Sequence, residues 1–157
     1  FYKALSNVPD YKDYAMKGRT YRYYTGPVQY PFGFGLSYTS FAYQSNDHFK
    51  SDYKSADTSS VNITIKNTGK TDGDEVVQAY IEYPQIDRMP VKELKAFKRV
   101  SVNKGGEQVA SIKIPVRELQ KWDMKNHSWK IYPGNYKLVL GSNSQDERLT
   151  LPFIVEK

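Results

Sequence analysis

The sequence contains no cysteine and only two histidines, His48 and His127, which lie far apart in the chain. The absence of cysteine excludes disulfide bonds, thiolate metal ligands and a cysteine nucleophile. The histidines lack the His-x-x-x-His spacing of a helical zinc site, so we expect neither a metal nor another cofactor. No apolar run reaches the roughly 20 residues that a membrane-spanning helix needs, and we therefore expect no membrane partner.

Clusters that could support catalysis are also scarce. Asp72, Asp74 and Glu75 form the one close group of carboxylates, but they follow residues rich in Asn, Thr and Gly that predict a solvated hairpin turn. Glycoside hydrolysis needs two carboxylates that flank a sugar in a cleft, which a solvated turn does not provide. The residue pattern of a calcium-binding EF-hand is also absent. The segment Gly33-Phe34-Gly35 is not expected to precede a helix, so it does not predict a phosphate loop. We predict no catalytic residue in this chain.

Basic residues exceed acidic ones, 23 against 17, and the formal net charge is +6. This excess permits association with anions but does not demonstrate it. In the densest basic stretch, from Lys92 to Lys104, the cations alternate with Leu94, Phe97, Val100 and Val102. Such alternation is typical of a strand with one solvated face, so we expect no nucleic-acid partner.

Tyrosine is abundant, and ten of the 14 tyrosines lie within the first 53 residues. Residues 1–40 have no regular hydrophobic period and contain several prolines and glycines, which disfavours a long helix or a central strand. The segment is too aromatic for a solvated linker. We predict an extended arm whose rings lie on another surface, either the rest of this chain or a part of the protein outside it. The chain begins with Phe1, and we expect it to be a piece of a longer protein.

From about residue 41 the pattern alternates with a period of two, separated by turn signals every 8–12 residues. It predicts an all-β fold, an immunoglobulin or fibronectin type III-like antiparallel sandwich of about seven strands over residues 41–157, preceded by the arm over residues 1–40. Residues 117–122 have the spacing of one or two helical turns. The strands are predicted at 61–66, 77–83, 94–102, 110–116, 129–131, 136–140 and 149–155.

Three aromatic residues and one proline have predicted structural roles. Trp122 and Trp129 are interpreted as core residues, because sandwiches commonly bury an aromatic side chain between their sheets. An exposed, coplanar pair would instead favour a sugar-binding platform. Tyr136 follows a turn and is expected to hold it through its hydroxyl, as in a tyrosine corner. Pro115 predicts a strand end or an edge.

Several motifs resemble glycoside hydrolase family 3, of the β-glucosidase and β-xylosidase type. The most specific lies at residues 30–39, Tyr-Pro-Phe-Gly-Phe-Gly-Leu-Ser-Tyr-Thr, and it follows Gly-Arg-Thr-Tyr-Arg-Tyr-Tyr at residues 18–24. Together they are similar to the passage that leads into the C-terminal fibronectin type III-like domain of that family. The weaker motifs occur in the same order at residues 67–69, 73–78, 92–100, 122–123 and 133–136.

The resemblance implies a parent enzyme that hydrolyses β-linked sugars with retention, using an Asp nucleophile and a separate acid/base carboxylate. No position here matches either catalytic motif, so the resemblance assigns this chain an accessory role. It implies that the partners are the catalytic domains of the same parent chain, with carbohydrate substrate reached through the parent. A periplasmic or secreted location is expected for the parent. The alternative is an independent carbohydrate-binding, immunoglobulin-like module.

The arm supplies the candidate contacts with the catalytic domains. Their aromatic and aliphatic side chains would bury apolar area at roughly 25 cal/mol per Å², and the two glycines would allow close backbone approach. The candidates are Tyr21, Tyr23, Tyr24, Tyr30, Pro31, Phe32, Gly33, Phe34, Gly35, Leu36 and Tyr38.

Overall fold

The structure is a computed structural model that describes residues 1–45, 49–86 and 88–156. One helical turn, α1 (Thr20–Tyr23), lies in the arm, and 3-10 turns form at Leu5–Asn7 and Val116–Leu119. No helix in these described ranges is long and apolar enough to cross a membrane. The strands are β1 (Phe41–Ser45), β2 (Asp52–Tyr53), β3 (Thr58–Asn67), β4 (Gly73–Glu82), β5 (Lys92–Val102), β6 (Glu107–Pro115), β7 (Lys121–Asp123), β8 (Ser128–Lys130), β9 (Gly134–Gly141) and β10 (Leu149–Val155).

The strands form two main sheets and a hairpin. One sheet has the order β1-β3-β6, the other has the order β2-β10-β9-β4-β5, and β7 pairs with β8. All pairs are antiparallel except β2 with β10. Because successive side chains of a strand point to opposite faces, every second residue of a strand in either main sheet points into one shared core. This arrangement confirms the predicted antiparallel all-β sandwich. The centre of the core includes Val61, Ile63, Ile65, Val77, Ala79, Ile81, Ile112, Leu138 and Leu140.

The predicted strands with clear alternation all appear, with ends shifted by a few residues. The shortest elements differ more, because strands β2 and β7 have three residues or fewer and leave no period to read. The helical turns predicted at 117–122 are a 3-10 turn at Val116–Leu119, and Trp122 already lies in β7. Pro115 ends β6, as predicted.

Tyr136 has the structural role predicted for it. Its ring is buried in the core and its hydroxyl donates a hydrogen bond of 2.6 Å to the carbonyl of Tyr132. This closes the turn before β9, as expected for a tyrosine corner. Burial raises the pKa of the Tyr136 hydroxyl to about 12, so it keeps its donor proton over the physiological range.

The prediction that Trp122 and Trp129 belong to the core is wrong. They face each other across the β7–β8 hairpin and remain 45% and 64% exposed. Their ring centroids lie 5.7 Å apart at an interplanar angle of 75°. The hairpin is not part of either main sheet, and these two rings lie on the side of it that faces solvent.

Two further expectations are corrected by strand geometry. Glu75 does not lie in a solvated turn, because β4 begins at Gly73 and the Glu75 side chain is buried. Asp74 also lies in β4, whereas Asp72 precedes the strand. Phe97 was expected on the apolar side of its strand, but it is 68% exposed, because it lies out of phase with the buried Val100 and Val102 and so points to the outer face.

Candidate interdomain surface

Part of the arm covers the outer face of the five-stranded sheet. Tyr80 of β4 points away from the main core, yet its side chain is fully buried. Tyr21 lies edge-on to Tyr80 at 6.1 Å and stacks on Phe32 at 4.1 Å. The Tyr21 hydroxyl accepts a 3.0 Å hydrogen bond from the backbone N–H of Leu94. Tyr21 and Phe32 therefore fix the arm to the sandwich of their own chain.

A polar network holds the next residues of the arm. Gln78 donates through Nε2 to the carbonyls of Gly33, at 3.0 Å, and Ser142, at 2.5 Å. Its Oε1 accepts a 2.5 Å hydrogen bond from the Tyr80 hydroxyl. Gly33 has φ +81°, and a Cβ there would lie 2.0 Å from the Gln78 Oε1. Only glycine fits this close approach without strain.

A buried acid ties α1 to the sheet. Glu93 of β5 is 8% exposed and accepts hydrogen bonds or ion pairs from Arg22, Lys95, Lys121 and Tyr83. The Arg22 contact measures 2.9 Å and bridges arm to sandwich. Burial raises the pKa of Glu93, but the hydrogen bonds from Lys121, Lys95 and Tyr83 outweigh it and lower the pKa to about 2. Glu93 is therefore ionised throughout the physiological range.

Tyr23, Tyr24 and Pro31 occupy an intermediate position. All three are half-buried. Tyr24 packs edge-on against Tyr2 at 4.9 Å and against Phe1 at 5.6 Å. This aromatic cluster joins the beginning of the arm to the residues after α1. The contacts of Tyr24 with Tyr2 and Phe1 stabilise the internal shape of the arm.

The remaining candidates project into solvent. Leu36 and Tyr38 are almost fully exposed, and Tyr30 and Phe34 are exposed by about half. Tyr30 and Phe34 contact each other with ring centroids 5.3 Å apart. A Cβ at Gly35 would meet no atom within 4 Å. These candidates make little contact with the sandwich. Phe32 is also 42% exposed, but its ring stacks on Tyr21 and its carbonyl accepts a hydrogen bond of 2.9 Å from the Ser144 N–H.

The exposed segment is anchored on both sides. Before it, Gly33 is fixed to Gln78 as described above. After it, the Thr39 hydroxyl donates a 2.6 Å hydrogen bond to the Asn67 Oδ1, and the Thr68 N–H donates to the Ser40 carbonyl at 2.8 Å. The Thr71 hydroxyl donates to the Tyr38 carbonyl at 3.0 Å. The backbone around Leu36 and Tyr38 is thus held in place while both side chains point away.

The cleft beneath this segment contains Glu75. The carboxylate lies 3.5 Å from Arg148 Nη1, which also donates to the Phe41 carbonyl at 2.9 Å. Arg148 Nε contacts Asp146 at 2.8 Å. Burial raises the pKa of Glu75, and the charge of Arg148 opposes that effect. Arg148 therefore acts as a cross-link between β1, β4 and the turn before β10, which is a structural role.

In the part of the chain that the structure describes, no metal cluster is formed, and the two tryptophans do not form a flat platform. No group of three or more His, Asp or Glu residues is placed to hold a metal ion within residues 1–45, 49–86 and 88–156. His48 lies outside the described residues. Trp122 and Trp129 are exposed, but their steep interplanar angle does not match the coplanar arrangement that sugar stacking would use.

Comparison with known protein families identifies the sandwich. Residues 75–144 match the family model of the fibronectin type III-like domain. The sandwich contains a fibronectin type III-like domain. The matched residues run from β4 to the turn after β9, so they include β4, β5 and β9 of the sheet on which the arm lies.

Curated relatives of this domain and its arm are much longer proteins. A xylan 1,4-β-xylosidase of Xylanibacter ruminicola is 36% identical over 149 residues, which cover 95% of this chain and 17% of the relative. A probable β-glucosidase D of Emericella nidulans is 36% identical over 156 residues, covering 87% of this chain and 19% of the relative. The chain thus spans about a fifth of the length of these curated relatives.

Solved structures give the same picture. A β-glucosidase of Listeria innocua in complex with glucose superposes with a TM-score of 0.77 at 27% identity, covering 90% of this chain and 20% of that one. A glycoside hydrolase family 3 β-glucosidase of Bifidobacterium adolescentis superposes with a TM-score of 0.75 at 31% identity, covering 86% and 20%. The arm and the fibronectin type III-like domain resemble the C-terminal region of family 3 glycoside hydrolases.

Sequence reasoning missed three residues that shape this surface. Gln78 and Glu93 fix the arm, and Phe97 adds an exposed ring to β5. The Gln in the motif at residues 73–78 was visible, but its partner Gly33 lies 45 residues away in the sequence. A bulge decides the orientation of Glu93, and bulges leave no periodic signal. Phe97 lies out of phase with Val100 and Val102, which was the signal for its outward orientation.

Proposed function

We propose that residues 1–157 form the non-catalytic C-terminal accessory region of a retaining β-glycoside hydrolase that acts on β-glucosides or β-xylosides. Residues 1–40 are the interdomain arm and residues 41–157 the fibronectin type III-like sandwich. The arm fixes the sandwich to the catalytic domains of the same polypeptide and so stabilises them. The carbohydrate substrate binds to the parent enzyme and not to this region.

The exposure of the arm's apolar side chains carries this proposal. Leu36 and Tyr38 project from a backbone anchored on both sides, so the sandwich holds them out without covering them. Apolar side chains presented in this way favour contact with a second apolar surface. The relatives supply such a surface in principle, because about four-fifths of their length lies outside the matched region.

The proposal is tested by comparing the isolated chain with the full-length parent. We expect the isolated chain to release no aryl group from aryl β-glucosides or aryl β-xylosides, whereas the parent does. In the parent, combined Leu36→Ser and Tyr38→Ser substitutions should accelerate thermal inactivation, because they remove about 3 kcal/mol of buried apolar contact. The matched control is Val109→Ser, which alters an exposed valine of β6 in the other sheet.

Two results would contradict the accessory role. The first is turnover of either aryl glycoside by the isolated chain. The second is a double arm variant of the parent that inactivates at the same rate as the unmodified parent and the Val109→Ser control. Either result would mean that the arm does not hold the catalytic domains.

A carbohydrate-binding module is the second candidate, favoured by the exposed Trp122 and Trp129. Affinity electrophoresis in gels containing xylan or β-glucan tests it directly. Retardation of the isolated chain that is lost in Trp129→Ala would support this candidate. On the accessory proposal we expect no retardation, because the two rings offer no flat platform.

A further inference from the structure

The edge strand β5 carries an exposed phenylalanine on the outer face of the five-stranded sheet. Gln78 pairs with Phe97 and Ala79 with Ala96, but Tyr80 pairs with Leu94, so Lys95 is an extra residue in β5. In a regular strand Phe97 would point to the opposite face from Leu94. The bulge instead turns Leu94 to the outer face that Phe97 already occupies. Phe97 alternates regularly with the buried Val100 and Val102, so its outward orientation is a defined feature of this strand.

Phe97 continues the surface formed by the arm. Val76 is opposite Arg99, so Val76 and Phe97 are diagonal neighbours on one face, within reach of a long side chain. Val76 is itself 38% exposed. Val76 and Leu36 line the same cleft, whose volume is about 430 Å³. We call these three residues, Leu36, Val76 and Phe97, the β5 strip.

We propose that the β5 strip is a second docking surface. The catalytic part of the same polypeptide covers both this strip and the exposed residues of the arm. This inference rests on the function proposed above and extends it from the arm to the sandwich itself. It assigns an interface role to Phe97 and Val76, which no motif of the arm includes. A sheet face with an exposed aromatic ring beside aliphatic side chains fits an apolar partner surface.

Two observations favour this occupant. The strip includes Leu36, which belongs to the arm, so a domain that covers the arm reaches Val76 through the cleft that Leu36 and Val76 line. The curated relatives also contain a large remainder of chain, more than 80% of their length in the two described above. A second copy of this chain fits less well, because each copy has a net charge of +6 and two copies would repel each other.

Thiol labelling tests the proposal, because the chain contains no cysteine of its own. Single Phe97→Cys and Val109→Cys variants are made in the isolated chain and in the full-length parent, with the unmodified parent as the background. Both positions are exposed, so the substitutions should leave the fold intact, which circular dichroism checks. Reaction with a maleimide reports how accessible each thiol is. A Tyr38→Cys variant reports on the arm.

In the isolated chain we expect the thiols at all three positions to react at similar rates. In the parent, the thiols at positions 97 and 38 should react at about one tenth of that rate or more slowly still, as expected where labelling requires local opening. The thiol at position 109 should keep its rate. If position 38 is protected and position 97 is not, the β5 strip is free and this inference fails while the proposed function stands.

Other outcomes separate the two proposals further. If neither position 38 nor position 97 is protected in the parent, the proposed function fails together with the inference. If position 97 is protected in the isolated chain in a concentration-dependent way, a second copy covers the strip, and the inference is overturned. Adding Val76→Ser to the Phe97→Cys variant of the parent offers an independent measurement. It should increase the labelling rate at position 97, and an unchanged rate would contradict the shared interface.

Discussion

Replacing Glu93 by Gln should destabilise the fold in a way that depends on pH. The ordinary pKa of this carboxyl is 4.5, and in the folded chain it is about 2. A difference of about 2.5 pKa units corresponds to about 3 kcal/mol of preference for the ionised form in the folded state. Burial lowers the pKa of Lys121, which offsets part of this gain. We therefore expect the substitution to cost about 2–3 kcal/mol near neutral pH.

The sign of the pH dependence follows from the direction of the shift. A depressed carboxyl pKa contributes stability that is fully present above its unfolded value and is lost as the pH falls through its folded value. The contribution of Glu93 should therefore be constant above about pH 5 and disappear between about pH 4.5 and pH 2. The Glu93→Gln variant has no such group, so the difference between the two proteins should shrink over this range.

Urea unfolding followed by tryptophan fluorescence measures this difference. The two tryptophans, Trp122 and Trp129, lie in the hairpin that Lys121 links to Glu93, so they should report on loss of the cluster. Glu107→Gln is the control, because its ion pair with Lys66 is half exposed on both sides and should change stability by at most about 0.5 kcal/mol. A Glu93→Gln variant that loses less than about 1 kcal/mol, or loses the same amount at every pH, would refute the reasoning.

Two further substitutions test the arm contact and the sandwich separately. Gly33→Ala should lower the free energy of unfolding by about 1–3 kcal/mol, since φ is +81° and the new Cβ would collide with Gln78, whereas Gly35→Ala should be neutral. Equal urea midpoints for the two variants would contradict this. Tyr136→Phe should cost about 1 kcal/mol through loss of the bond to Tyr132, measured in the same assay, and an unchanged midpoint would exclude that role.

The sandwich could be predicted from the sequence because its core strands bury one face. In β3, alternate residues from Val61 to Ile65 are buried, and the same period of two shows directly in the letters. Where one face has no layer against it, composition misleads. Tryptophan is a residue type that is common in cores, but Trp122 and Trp129 lie in a hairpin of two three-residue strands, and this hairpin is outside both main sheets. Their exposure depends on tertiary position, which local pattern does not encode.

The sequence predicted which segment forms the candidate surface, but not which of its residues contact the sandwich and which are exposed. The motif at residues 30–39 pointed to the arm, yet nothing in its letters separates Phe32, which stacks on Tyr21, from Leu36, which is exposed. That difference arises from contacts with Gln78 and Tyr80, more than 40 residues away in the sequence. Likewise, the single extra residue at Lys95 decides which faces Glu93 and Leu94 occupy.

The anchoring of the arm backbone beside its exposed side chains has an energetic consequence for docking. Ordering a residue's backbone costs about 1–2 kcal/mol, and a flexible arm would incur that cost when it meets its partner. Here Gln78 and Asn67 fix the arm on both sides of Leu36 and Tyr38, so folding of the sandwich already orders that backbone. The apolar area that these side chains bury is then available for binding almost in full. Loosening either anchor should weaken docking even though no contact with the partner is removed.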